Sequence, residues 1–145
     1  LHHHFLCWQT IIFVESKVMN NTRILIVADV RETVDELREF FELNDYDTEV
    51  ALKTKVALAI LDERRMDLAI IGFTVQEIPG IEILKELRTK DPCIPVILIQ
   101  GSSSKQVKSL IKKAGAQGYI PNPFDRIDFL HTVKKVLSSH TSRVS

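Results

Sequence analysis

Three short runs of this chain are apolar from end to end: Ile24-Leu25-Ile26-Val27, Leu68-Ala69-Ile70-Ile71 and Pro95-Val96-Ile97-Leu98-Ile99. A strand with one face in water alternates apolar and polar residues, so unbroken, β-branched-rich runs mark strands covered on both faces. Between and after them, apolar residues recur at helical spacing: Val34, Leu37, Phe40 and Phe41; Val56, Ala57, Ile60 and Leu61; Leu84 and Leu87; Val107, Leu110, Ile111 and Ala114. Thr48 to Ala51 and Gly118-Tyr119-Ile120 read as two shorter strands, and Ile127, Leu130, Val133 and Leu137 stripe a last helix. Five strands alternating with five helices through short loops predict an α/β fold, a five-stranded parallel sheet with helices on both faces in three αβα layers.

A chain of 145 residues with 45% hydrophobic and 26% charged residues fits one ordinary globular domain. Lys plus Arg and Asp plus Glu both number 19, so bulk charge points to neither nucleic acid nor a membrane surface. No run approaches the roughly 18–20 apolar residues of a membrane span. The two cysteines, Cys7 and Cys93, lack metal-type spacing and read as reduced thiols of a cytoplasmic protein. Residues 1–18, with His2-His3-His4, read as a tag remnant or a non-native extension, with no basic n-region or cleavage site of a signal peptide. The domain is expected over 19–138, and 139–145 reads as a tail or the start of a linker.

In open parallel sheets, ligands and chemistry sit beyond the carboxyl ends of the strands. That directs attention to Ala28-Asp29, Gly72-Phe73, Gln100-Gly101 and Pro121-Asn122. No glycine-rich phosphate loop follows the first strand, and no Ser/His/Asp or Cys/His constellation gathers at these ends. Enzymatic activity and a bound cofactor are therefore not expected.

The same segments resemble a known family. Ile24-Leu25-Ile26-Val27-Ala28-Asp29 is similar to the opening strand and acidic pair of response-regulator receiver domains, and Pro95 to Ile99 to their fourth strand. Gly115-Ala116-Gln117-Gly118-Tyr119-Ile120-Pro121-Asn122-Pro123-Phe124 resembles their fifth strand and the proline loop after it. The resemblance spans about residues 22–138. It implies a flavodoxin-like sheet of order 2-1-3-4-5 and a role in bacterial two-component or phosphorelay signalling.

It also implies a mechanism against which each position can be compared. The family's phosphorylated aspartate, a nucleophile at the end of the third strand, is matched by Gly72, which has no side chain. Asp67, at the other end of that strand, lies about 15 Å away at about 3.3 Å per residue. The metal-binding acidic pair is matched by Ala28 and Asp29. Mg²⁺ needs hard oxygen ligands, so Asp29 alone should hold it weakly at most; the plainer role for Asp29 is an acid at a helix N-terminus. The hydroxyl residue is matched by Gln100 and the phosphate-pairing lysine by Asn122. Nucleophile, one metal ligand, hydroxyl and cation are all replaced, which predicts a degenerate pseudo-receiver. Tyr119 matches the family's switch aromatic, and a fixed ring is expected without a phosphoryl group to move it.

A domain without that chemistry is expected to act through its surface. In the family, partners usually meet the fourth helix, fifth strand and fifth helix, and here that face should carry Lys105, Lys108, Lys112, Lys113, Arg126, Lys134 and Lys135. The first helix is acidic, with Glu32, Asp35, Glu36, Glu39 and Glu42. Complementary patches at opposite sheet edges predict a protein partner or head-to-tail self-association, weakened by salt. Direct nucleic-acid binding is not expected, because no reading helix exists beyond those the fold needs. The alternative is a small-ligand-binding protein or enzyme on the same fold, using the space opened at Gly72.

Overall fold

The computed structural model describes residues 22–72, 80–100, 105–121 and 124–144, with side chains left aside at 80, 100, 105–108 and 140–144. Period-two alternation sorts the apolar runs onto two faces. Ile24, Ile26, Leu68, Ile70, Ile97 and Ile99 point to one side, and Leu25, Val27, Ala69, Ile71, Val96 and Leu98 to the other. These residues form β1 (Arg23–Ala28), β3 (Leu68–Gly72) and β4 (Val96–Gln100), flanked by β2 (Asp47–Ala51) and β5 (Gly118–Pro121). All pairings are parallel and the order is β2-β1-β3-β4-β5, as expected of the flavodoxin-like architecture.

Two apolar cores follow. On one face, α1 (Arg31–Leu43) and α5 (Arg126–Val144) bury Leu37, Phe40, Phe41, Phe129 and Val133 against the sheet. The Phe40 and Phe129 rings stack with centroids 5.1 Å apart, and Phe41 meets Phe129 edge-on at 5.6 Å. On the other face, α2 (Thr54–Glu63), α3 (Gly80–Lys90) and α4 (Lys105–Lys113) contribute Ala57, Ile83, Leu84, Leu87 and Ile111.

Three residues expected in helix stripes face outward instead: Val56 is 43% exposed, Leu110 55% and Ile127 68%. In α5 the buried row is Phe129, Val133 and Val136, at i, i+4 and i+7, rotated from the expected row by the large ring at 129. Helix α5 continues to Val144, past the position where a tail was expected to begin. No Gly or Pro interrupts residues 126–144. Cys93 is disulfide-bonded, which corrects its expectation as a reduced thiol; Cys7 lies outside the described residues.

The amino edge of the sheet is tied by side chains. Asp67 Oδ2 accepts from the amide of Arg23 at 2.8 Å, which fixes this carboxylate at the far end of β3. Asp91 Oδ1 accepts from the amides of Cys93 and Ile94 at 3.0 and 3.1 Å, so the Asp91-Pro92 break is a hydrogen-bonded turn. Arg88 donates to the carbonyls of Ile94 and Gly115 and to Oε1 of Gln117, which also accepts from the amide of Val96. Gly115 follows α4 at φ +98°, a conformation open to glycine and strained for other residues.

Candidate functional site

The carboxyl ends of the strands bring the predicted positions together in register. Ala28 on β1 pairs with Gly72 on β3, Gly72 pairs with Ile99 on β4, and Gln100 pairs with Pro121 on β5. Asn122 lies outside the described residues, as does Phe73 in the segment after β3. For Gln100, only the backbone position is described.

The surroundings of Gly72 are apolar. A Cβ built there would stand 3.8 Å from Cβ and Cδ1 of Ile99 and 3.8 Å from the methyl carbon of Thr33, in the first turn of α1. Ala28, alongside, is fully buried, and Ile99 is buried too. The space beside Gly72 is thus bounded by methyl and methine carbons among the described residues. It has room for a Cβ at ordinary van der Waals distance.

Asp29 is exposed at the end of β1. Its expected helix-capping role is corrected: Val30 is the cap residue of α1, in extended conformation and with no side-chain cap hydrogen bond. The residue before the first turn is apolar, and the acid stands one position too early. Glu32 supplies the negative charge near that helix start instead.

Tyr119 is half-buried and packs against the core on the α2–α3–α4 side, opposite Leu98 on β4. Burial raises its phenol above the ordinary value. Sequence reasoning did not single out Gly118 beside it. A Cβ there would come within 3.1 Å of Ile97 Cγ1 on β4 and of Thr132 Cγ2 on α5, so a side chain would make these neighbours give by a few tenths of an ångström. The signal was present as a lone glycine within a strand, which marks close approach.

Of the predicted basic face, Lys112 and Lys113 on α4 and Arg126, Lys134 and Lys135 on α5 are exposed. Lys105 and Lys108 lie in α4, with only their backbone positions described. An open groove of about 530 Å³ separates the end of α4 from α5. It is lined by Lys112, Lys135, Thr132 and Val136 and by the 115–118 turn.

A parallel sheet of this order, with its loop-end positions clustered beyond β1, β3 and β4, is the flavodoxin-like architecture that the receiver class of signalling domains shares with other α/β proteins. The chain belongs to the response regulator receiver domain family, whose sequence profile matches residues 24–134. It is 32% identical over 121 residues to the transcriptional regulatory protein CpxR of Klebsiella pneumoniae, covering 83% of this chain and 51% of that protein. It is 27% identical over 119 residues to the response regulator MprA of Mycolicibacterium vanbaalenii, covering 82% of this chain and 52% of that one. The chain spans about half the length of these curated relatives. Among solved structures, the CheY-like receiver domain protein of Methanospirillum hungatei superposes with a TM-score of 0.77 at 26% identity, covering 86% of this chain and 99% of the other. The receiver domain of the Francisella response regulator 1452 superposes with a TM-score of 0.74 at 27% identity, covering 82% and 98%. The protein is a receiver domain of two-component signalling.

Proposed function

We propose that this domain has lost receiver phosphorylation and signals as a phosphorylation-independent protein-interaction module. The observation that carries the reading is Gly72, at the position matching the nucleophilic aspartate. Its side-chain space is bounded by Ile99 and the Thr33 methyl group, next to buried Ala28. Phosphoryl transfer to a carboxylate forms an acyl phosphate on that oxygen, and residue 72, a glycine, carries none.

A Mg²⁺ site in the family's style does not fit the described residues. Ala28 and Gly72 bring no oxygen ligand from their side chains, and Asp29 alone is short of the donor set such an ion takes. Gln100 and Asn122 bring amides where a hydroxyl and a cation serve in the family. In this reading the domain catalyses no reaction, needs no cofactor and works in the cytoplasm. No described helix is long and apolar enough to cross a membrane. Partners meet the α4–β5–α5 face, where Lys112, Lys113, Arg126, Lys134 and Lys135 stand in solvent.

Incubation with Mg²⁺ and acetyl phosphate, followed by intact-mass measurement, tests the reading. The mass is expected to stay unchanged; stoichiometric gain of one phosphoryl group would overturn it.

A further inference from the structure

Helix α1 contacts β1 and β2, at one edge of the sheet, whereas α4 and α5 contact β5, at the other. The solvent face of α1 carries Glu32, Asp35, Glu36 and Glu39, all exposed, at i, i+3, i+4 and i+7. This spacing sets four carboxylates in one row about 10 Å long. None of the four makes an ion pair or hydrogen bond among the described residues. One turn beyond Glu39 the row ends in Leu43, 72% exposed.

The opposite edge offers the complement. Lys112 and Lys135 line the groove between α4 and α5, with Lys113 and Lys134 next to them in sequence, and these four ammonium groups have no carboxylate partner among the described residues. Leu110, on α4, is 55% exposed and supplies an apolar contact on this side. The 115–118 turn completes the recess.

We propose that the groove receives the acidic face of α1 from a second copy of this chain, so that copies associate head to tail. The assignment rests on the interaction-module reading and names its partner. Each edge pairs a cluster of unpaired like charges with an exposed leucine, and the two clusters carry opposite signs, with Arg31 on α1 and Asp128 on α5 the exposed charges of the other sign. Because unlike patches lie on opposite edges, one contact leaves a free acidic row at one end and a free groove at the other. Such a heterologous contact adds further copies and does not close as a two-fold pair. The contact is small and charge-dominated, so it is weak and screened as the Debye length falls below about 10 Å.

Sedimentation velocity on the full chain and two variants tests this. E32Q/D35N/E36Q/E39Q removes the row and keeps the groove; K112Q/K135Q removes the two charges that line the groove and keeps the row. All these positions are exposed, and unchanged circular dichroism and melting temperature verify that both variants fold. At low salt the wild type is expected to show a concentration-dependent series extending beyond the dimer, lost at high salt. Each variant alone stays monomeric, and a one-to-one mixture forms a species that stops at the dimer, because only one intact row and one intact groove remain to meet. A wild type that is monomeric at low salt, a variant that still associates alone, or a mixture that stays monomeric would overturn the head-to-tail contact. None of those results bears on phosphoryl uptake, so the pseudo-receiver reading stands or falls separately on the mass measurement.

Discussion

Gly72 and Ile99 face one another across β3 and β4, and a Cβ added to Gly72 would rest 3.8 Å from the Cβ of Ile99. That separation is ordinary contact, and the backbone at Gly72 is not in the left-handed region. Gly72→Ala should therefore raise stability by about 0.4–1 kcal/mol, chiefly by restricting the unfolded chain. Gly72→Asp should be less stable than Gly72→Ala, because its carboxyl group enters a site lined by Ile99, Ala28 and the Thr33 methyl. Urea unfolding of the two variants against wild type checks the order; a Gly72→Ala variant less stable than wild type would contradict it.

Gly118 gives the opposite outcome from the same substitution. Its Cβ would press on the side chains of Ile97 and Thr132 at 3.1 Å, with Val136 at 3.4 Å, so these groups must give by a few tenths of an ångström. Gly118→Ala should cost about 1–3 kcal/mol as an overpacked site. A midpoint unchanged in urea would show that α5 is not seated as closely as described.

Arg88 joins two segments at the amino edge of the sheet: the turn before β4, through Ile94, and the 115–118 turn, through Gly115 and Gln117. Its removal leaves the Gly115 carbonyl and the Gln117 oxygen short of a charged donor. Arg88→Ala should lose about 1.5–3 kcal/mol, and Arg88→Lys should recover only part, since one ammonium cannot reproduce the planar fork. Unfolding midpoints of the two variants are the readout.

Tyr46 and Tyr119 are the two tyrosines of the chain, and burial raises the phenol of each above 10.0. A raised value means the folded state holds its protons more tightly than the unfolded state. The associated stability is fully present below pH 10.0, and it is lost as pH rises through the folded-state values. Tyrosinate absorbance of the native protein should rise at higher pH than that of the chain unfolded in urea. Coincident curves would contradict this.

The sheet was legible because its central strands are apolar throughout: Ile24 to Val27, Leu68 to Ile71 and Val96 to Ile99 admit few other structures. Helix faces were less so. Ile127 and Leu110 fit helical spacing yet stand in solvent, because helical spacing alone does not say which side of a helix meets the sheet. Phe129, central to the α1–α5 core, was missed because a row drawn through Ile127 and Leu130 passes it by. At the site, the positions of Ala28 and Gly72 followed from the strand ends, and their neighbours did not: Thr33 reaches Gly72 from a different element. The helix cap expected from Asp29 failed by one residue, a shift that sequence pattern does not resolve.

The central claim is that a complete receiver scaffold lacks receiver chemistry, and the most direct measurement compares phosphoryl uptake side by side. This chain and a receiver domain that keeps its aspartates are incubated with Mg²⁺ and acetyl phosphate and read by intact mass. One added phosphoryl group is expected on the reference domain and none on this chain. One added group on this chain, removed by the hydroxylamine treatment that cleaves acyl phosphates, would contradict it.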